Sequence, residues 1–168
     1  HIAVTSTCSD VGPLDTFTYS WSVTKNGAPF AGGAAADFAF TPDDNGAYAV
    51  TLVATDKDGG TATDTETVAV ANSAPSVIIA GAPAASVSGT PVNLTCTVTD
   101  AGSADTFTYA WLVTKDARPF AADTAAGISF TPVGDAVYVV TLAVRDDDGG
   151  SAAASATIIC DAPPVITS

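Results

Sequence analysis

One segment of this chain occurs twice, and nothing else constrains its fold as strongly. Asp15-Thr-Phe-Thr-Tyr-Ser-Trp-Ser-Val-Thr-Lys25 returns as Asp105-Thr-Phe-Thr-Tyr-Ala-Trp-Leu-Val-Thr-Lys115, an offset of 105 − 15 = 90 residues. In each copy the aromatic residues fall on every second position: Phe17, Tyr19 and Trp21, then Phe107, Tyr109 and Trp111. A period of two is the signature of a strand, whose alternate side chains share one face. Three rings on one face carry enough apolar area to hold a sheet against a second layer. The segment is therefore expected to be a central core strand in each copy.

The same offset continues on both sides of this segment. Pro29-Phe30 matches Pro119-Phe120, Phe40-Thr41-Pro42 matches Phe130-Thr131-Pro132, and Tyr48 matches Tyr138. Val50-Thr51-Leu52 matches Val140-Thr141-Leu142, and Asp56, Asp58, Gly59 and Gly60 match Asp146, Asp148, Gly149 and Gly150. A period this long denotes whole domains in series, since solenoid units run to about 20–45 residues. The chain divides by sequence into a module at 1–71, a second at 72–160, and a remainder at 161–168.

Charge narrows the partners. Five Lys+Arg face eighteen Asp+Glu, for a net charge of −13. Nucleic acid is excluded, because a phosphate backbone needs basic contacts. No run of about 18 apolar residues is present, so no helical membrane insertion is expected. Thr, Val and Ala fill the alternating segments and helical periodicity is missing, which makes the class all-β.

In order, a first strand is expected over 1–9, with Ile2, Val4, Ser6 and Cys8 on one face. The aromatic strand follows and closes at Asn26-Gly27, a strong two-residue turn signal. Residues 28–36 are rich in Ala and Gly and read as a loop with weak edge pairing. Short strands are expected over 37–41 and 48–55, and a last one over 61–71. In the second module the counterpart of the first strand covers 92–99, and an additional strand lies before it at 76–80. Turns about every 8–12 residues between such strands argue for a β-sandwich, of seven strands in the second module. Tyr48 and Tyr138 sit where immunoglobulin-like sandwiches place a tyrosine corner.

These residues together resemble polycystic kidney disease (PKD) domains, which are immunoglobulin-like modules common in extracellular and bacterial surface proteins. The resemblance covers both modules. It rests on Asn72-Ser-Ala-Pro75 as a module opening, on Tyr109-Ala-Trp111, and on Tyr138-Val-Val-Thr-Leu142 followed by Asp146-Asp-Asp-Gly149. After the Trp the chain reads Leu-Val-Thr-Lys-Asp in place of the family's Asp-Phe-Gly-Asp-Gly, as in long bacterial surface repeats. The implied fold is two tandem immunoglobulin-like (PKD-type) β-sandwiches, the first lacking its first strand. The resemblance also implies Ca²⁺ at the module entrance, held in the second module by Asn72, Ser73, Asp100, Asp105 and Asp146. The first module offers Asp10, Asp15 and Asp56. Hard carboxylate and carbonyl oxygens suit this ion, with affinity of about 10⁻⁴–10⁻³ M in extracellular modules. The alternative is that these acids only cap turns.

No catalytic centre is expected. The single histidine is His1, so neither a Ser-His-Asp nor a Cys-His set can assemble within the chain. Cys96 and Cys160 both point inward, and either a bridge or two buried thiols is compatible with that; Cys8 has no partner in its own module. The expected role is a non-enzymatic, extracellular or cell-surface structural and adhesive module in a head-to-tail array, a rod or filament. The rival is an accessory module delivering a secreted hydrolase to polysaccharide or collagen, which an exposed aromatic stripe would favour. Residues 161–168 resemble 72–79, the start of another module. They are expected to continue the array or to be donated as a strand to the open first module of another copy.

Overall fold

The computed structural model describes residues 1–11 and 15–164, and every described element is a strand. The chain divides into two compact units, the first built on His1–Asn72 and the second on Ser73–Ala101 with residues from Asp105 onward. The first contains β1 (Ile2–Val4), β2 (Phe17–Lys25), β3 (Ala28–Gly33), β4 (Phe38–Phe40), β5 (Gly46–Asp56) and β6 (Thr61–Val70). The second contains β7 (Ser76–Ala80), β8 (Ala85–Val87), β9 (Val92–Thr99), β10 (Phe107–Lys115), β11 (Arg118–Asp123), β12 (Gly127–Phe130), β13 (Ala136–Asp146) and β14 (Ser151–Asp161).

In the second unit a five-stranded sheet, β11-β10-β13-β14-β8, faces a three-stranded sheet, β12-β9-β7. Alternation sets the core. Trp111 and Val113 of β10, Tyr138, Val140, Leu142 and Val144 of β13, and Ile158 and Cys160 of β14 turn inward from one sheet. Val92 and Leu94 of β9 meet them with Ile128 and Phe130 of β12. Trp111 is 2% exposed, and its indole N–H donates to the Ala125 carbonyl at 3.0 Å. Phe107 and Tyr109, on the same face but nearer the end, are half-buried. This is an immunoglobulin-like sandwich of eight strands. The eighth is β8, which runs parallel to the end of β14, pairing Ile159 with Ala85.

The first unit repeats the larger sheet as β3-β2-β5-β6 and reduces the smaller to β1-β4. Residues 28–36, read as a loop with weak edge pairing, include the edge strand β3, which pairs with β2 through a register shift between Val23 and Thr24. Alanine and glycine carry no strand signature, so the pairing comes from the hairpin that precedes it. That hairpin is the expected Asn-Gly turn, with both residues left-handed (Asn26 φ 50°, Gly27 φ 85°). The expected first strand over 1–9 is shorter: only Ile2–Val4 pairs, with Phe38–Phe40. Residues 5–9 keep the alternating burial but have no ladder. In the second unit their counterparts 95–99 are paired by β7, and the first unit has no such strand among its described residues.

Both tyrosine corners are present. The Tyr138 hydroxyl accepts from Val133 N at 2.9 Å and donates to its carbonyl at 3.1 Å. The Tyr48 hydroxyl instead lies 2.8 Å from both Asp43 Oδ1 and the Asp44 carbonyl. Lys25 Nζ joins that cluster, 2.9 Å from Asp43 Oδ1. Residues 165–168, on which the donated-strand expectation depends, lie outside the described residues.

Candidate functional site

Each unit gathers acids at the end where β5 or β13 turns into the last strand, and the hairpin there explains much of the clustering. Asp146 is 3% exposed at the end of β13. Its Oδ1 accepts from Gly150 N at 2.7 Å and Asp148 N at 3.1 Å, which closes the turn. Asp56 does the same, accepting from Asp58 N at 2.7 Å and Gly60 N at 2.9 Å. An Asp here is needed to satisfy backbone donors whether or not an ion is present.

The two ends differ by one residue type. In the first unit Lys57 follows Asp56, and its ammonium lies 2.6 Å from Asp15 Oδ1 and 2.5 Å from Asp58 Oδ2. Those hydrogen bonds, Asp15 first, raise the Lys57 pKa, so the cation persists well into alkaline solution. Position 57 + 90 = 147 is Asp147. Its Oδ1 accepts from Thr106 N at 2.9 Å, a bond that holds its carboxyl below the usual range. The first unit thus carries its own counter-ion among Asp10, Asp15 and Asp56, whereas the second replaces that cation with one more acid. The repeat alignment contains this signal, although a search for oxygen ligands alone passes over it.

The five candidates named for the second module lie far apart in sequence. Asp100 follows β9, Asp105 precedes β10 by two residues, and both are half-buried. Asp146 stands in register with Phe107 across β10 and β13, and Ser73 opens the unit, exposed. Asn72 is exposed and closes the first unit. Among the described residues neither Asp100, Asp105 and Asp146 nor Asp10, Asp15 and Asp56 form a triad with carboxylate oxygens all within 4.8 Å of one another.

The three cysteines are thiols. Cys160 is buried, and Cys96, half-buried, points its sulfur at the Ala126 carbonyl at 3.4 Å. Burial raises both thiol pKa values, which keeps them protonated and unreactive near neutrality.

No family model matches the chain, and no curated protein is similar to it. Solved structures are similar in fold. The fibronectin(III)-like modules of Clostridium thermocellum CbhA share 17% identity, with 96% of this chain and 85% of that one covered, at a TM-score of 0.43. The amphioxus IgVJ-C2 molecule shares 13%, with 93% and 94% covered, at 0.48. The N-terminal four immunoglobulin domains of Dscam1 isoform 8.4 share 21%, with 94% of this chain and 41% of that one covered, at 0.42. Superposition this loose leaves the assignment to rest on the strand order itself.

Proposed function

We propose that this chain is a non-enzymatic, PKD-type extracellular module that serves as a structural and adhesive segment of a head-to-tail array. The observation that carries this reading is the direction of the aromatic side chains. Trp21 and Trp111 are 7% and 2% exposed, and Tyr48 and Tyr138 are fully buried. Phe120, the most exposed ring at 37%, packs edge-on against Tyr138 and Phe130. No aromatic row is left to stack on sugar rings, which disfavours the accessory-module rival. Affinity electrophoresis through insoluble polysaccharide and collagen tests this. Unretarded migration, with surface labelling of source cells by antibody to the chain, is expected. Retention on either polymer would overturn the reading in favour of a substrate-binding module.

Calcium belongs to this proposal at the second unit only. Ser73, Asp100, Asp105 and Asp146 supply oxygen donors with no lysine in the place of Lys57, a set that suits a hard divalent cation. At about 10 mM calcium and a dissociation constant of about 1 mM, binding stabilises the unit by about 1.4 kcal/mol. The second unit's thermal transition is expected to rise with calcium, and Asp105→Asn to remove the increment. An increment that survives Asp105→Asn would remove calcium from the account.

A further inference from the structure

Of the chain's four asparagines, only Asn93 stands in the pattern Asn-x-Ser/Thr, as Asn93-Leu94-Thr95. Asn26 and Asn45 precede Gly-Ala, and Asn72 precedes Ser-Ala. The triplet lies in β9, where alternation buries Leu94, 2% exposed, and turns Asn93 and Thr95 outward together. Both are exposed, on the outer face of the β12-β9-β7 sheet. Their neighbours on that face are small. Ser129 stands in register with Asn93, and Gly127 and Ala80 flank Thr95. β7 ends at Ala80, and the chain turns away at Gly81, left-handed at φ 83°. A Cβ at Gly81 would lie 2.9 Å from the Asn93 carbonyl oxygen, so glycine is what lets the chain pass there. Beside Asn93 this departure leaves a shallow depression of about 370 Å³, with Pro83, Val87, Thr90 and Pro91 in its lining. All four are exposed. The first unit has Ala3 and Thr5 at 93 − 90 and 95 − 90, so the pattern belongs to the second unit alone.

We infer that Asn93 is a site of N-linked glycosylation, with the sugar rooted beside this depression. Asn-x-Ser/Thr is the acceptor pattern for that modification, and its two polar side chains must be reachable from one side. In the transfer, Asn93 Nδ2 forms a bond to C1 of an oligosaccharide carried on a lipid diphosphate. The C1–O bond breaks, the lipid diphosphate leaves with its electron pair, and an amide proton passes to a base of the transferring enzyme. The Thr95 hydroxyl is the group by which that enzyme recognises the acceptor. Pro83 and Val87 give the C–H face of the first sugar an apolar floor. A bulky, hydrophilic group here keeps the outer face of the smaller sheet from packing against another protein. The inference rests on the extracellular reading, because the transfer accompanies export.

The chain is captured by antibody from the cells that make it, and its peptides are read by mass spectrometry. Sugar is expected on Asn93, removable by a peptide-amide glycosidase that leaves an aspartate in its place. Asn93→Gln and Thr95→Val, expressed in the same cells, are each expected to lose the added mass, and Thr95→Ser is expected to keep it. Thr95→Val retains the branched shape that suits a strand, so its loss reports the hydroxyl itself. A bare Asn93 would overturn the inference, as would sugar confined to Ser and Thr hydroxyls or added mass that survives Thr95→Val. The location of the captured chain separates this failure from that of the extracellular reading. A chain found outside the cell with a bare Asn93 overturns the site alone; a bare chain retained inside overturns both.

Discussion

β6 and β14 occupy the same place in two copies of one strand plan, yet their surroundings are opposite. β14 has β13 on one side and β8 along its end, with β7 packed over its inner face, and Ile158 and Cys160 are 0% and 2% exposed. β6 has β5 alone, and its inner Val68 and Val70 remain half-buried while Asp64 and Glu66 face water. The shared aromatic strand, tyrosine corner and Asp-capped hairpin are insensitive to this. Such local devices fix the larger sheet in both units; in the second, two short strands, β7 and β8, complete the sandwich.

The largest expected contrast lies in the core. Trp111→Ala is expected to cost about 3–5 kcal/mol and Ile158→Ala about 2–5 kcal/mol, since both leave cavities that a closed sandwich cannot collapse. Val68→Ala, on a face already open to water, is expected to cost less than about 1 kcal/mol. Chemical denaturation followed by unit-specific probes separates the two, and equal costs at Ile158 and Val68 would break the comparison.

The corners differ next. Tyr138→Phe removes hydrogen bonds to a neutral backbone and is expected to cost about 1 kcal/mol at any pH from 4 to 8. In the first unit the hydrogen bond from Lys25, then that from Tyr48, hold the Asp43 carboxyl below its ordinary value. A depressed carboxyl pKa contributes stability that is present above the unfolded value, about 3.9, and is lost as pH falls through the folded one. The first unit is therefore expected to lose stability below about pH 4 by a route closed to the second, where Val133 stands at 43 + 90. Asp43→Asn is expected to flatten that acid limb in melts taken across pH, and an unchanged limb would contradict the assignment.

The smallest contrast is in the two-residue turns. Asp116 and Ala117 adopt the left-handed conformation of Asn26 and Gly27, with Ala117 at φ 66°. Ala117→Gly is expected to stabilise by about 0.5–1 kcal/mol, and Gly27→Ala to destabilise by about 1 kcal/mol. A difference of the opposite sign in thermal melts would show that the turn is not where strain resides.

Much of this was legible in the sequence, because period-two alternation and repeat offset are properties of the chain itself. The spans 76–80 and 92–99 match β7 and β9. What escaped depends on neighbours. β3 is Ala-Pro-Phe-Ala-Gly-Gly, a strand only because β2 pairs with it. β8 has three residues and pairs in parallel, which no local pattern announces. Residues 5–9 alternate like a strand yet have no ladder, since alternation reports faces and not partners. At the acidic ends the carboxylates were visible, but Lys57 as counter-ion was not, because a ligand search by oxygen atoms overlooks a cation already in place. Asp64 and Glu66 share the parity of Val68 and Val70, and that parity was readable from the sequence.

Amide hydrogen exchange on the intact chain tests the central claim most directly, because it reads both copies of the plan in one sample. Closure of the second unit by β7 predicts that amides at 95–99, and at 158–160 of β14, exchange only in rare openings. Those at 5–9 are predicted to exchange on the order of a hundredfold faster or more, as unpaired edges do. Equal protection of 5–9 and 95–99 would contradict the account, since it would mean that the first unit closes its sandwich without a counterpart of β7.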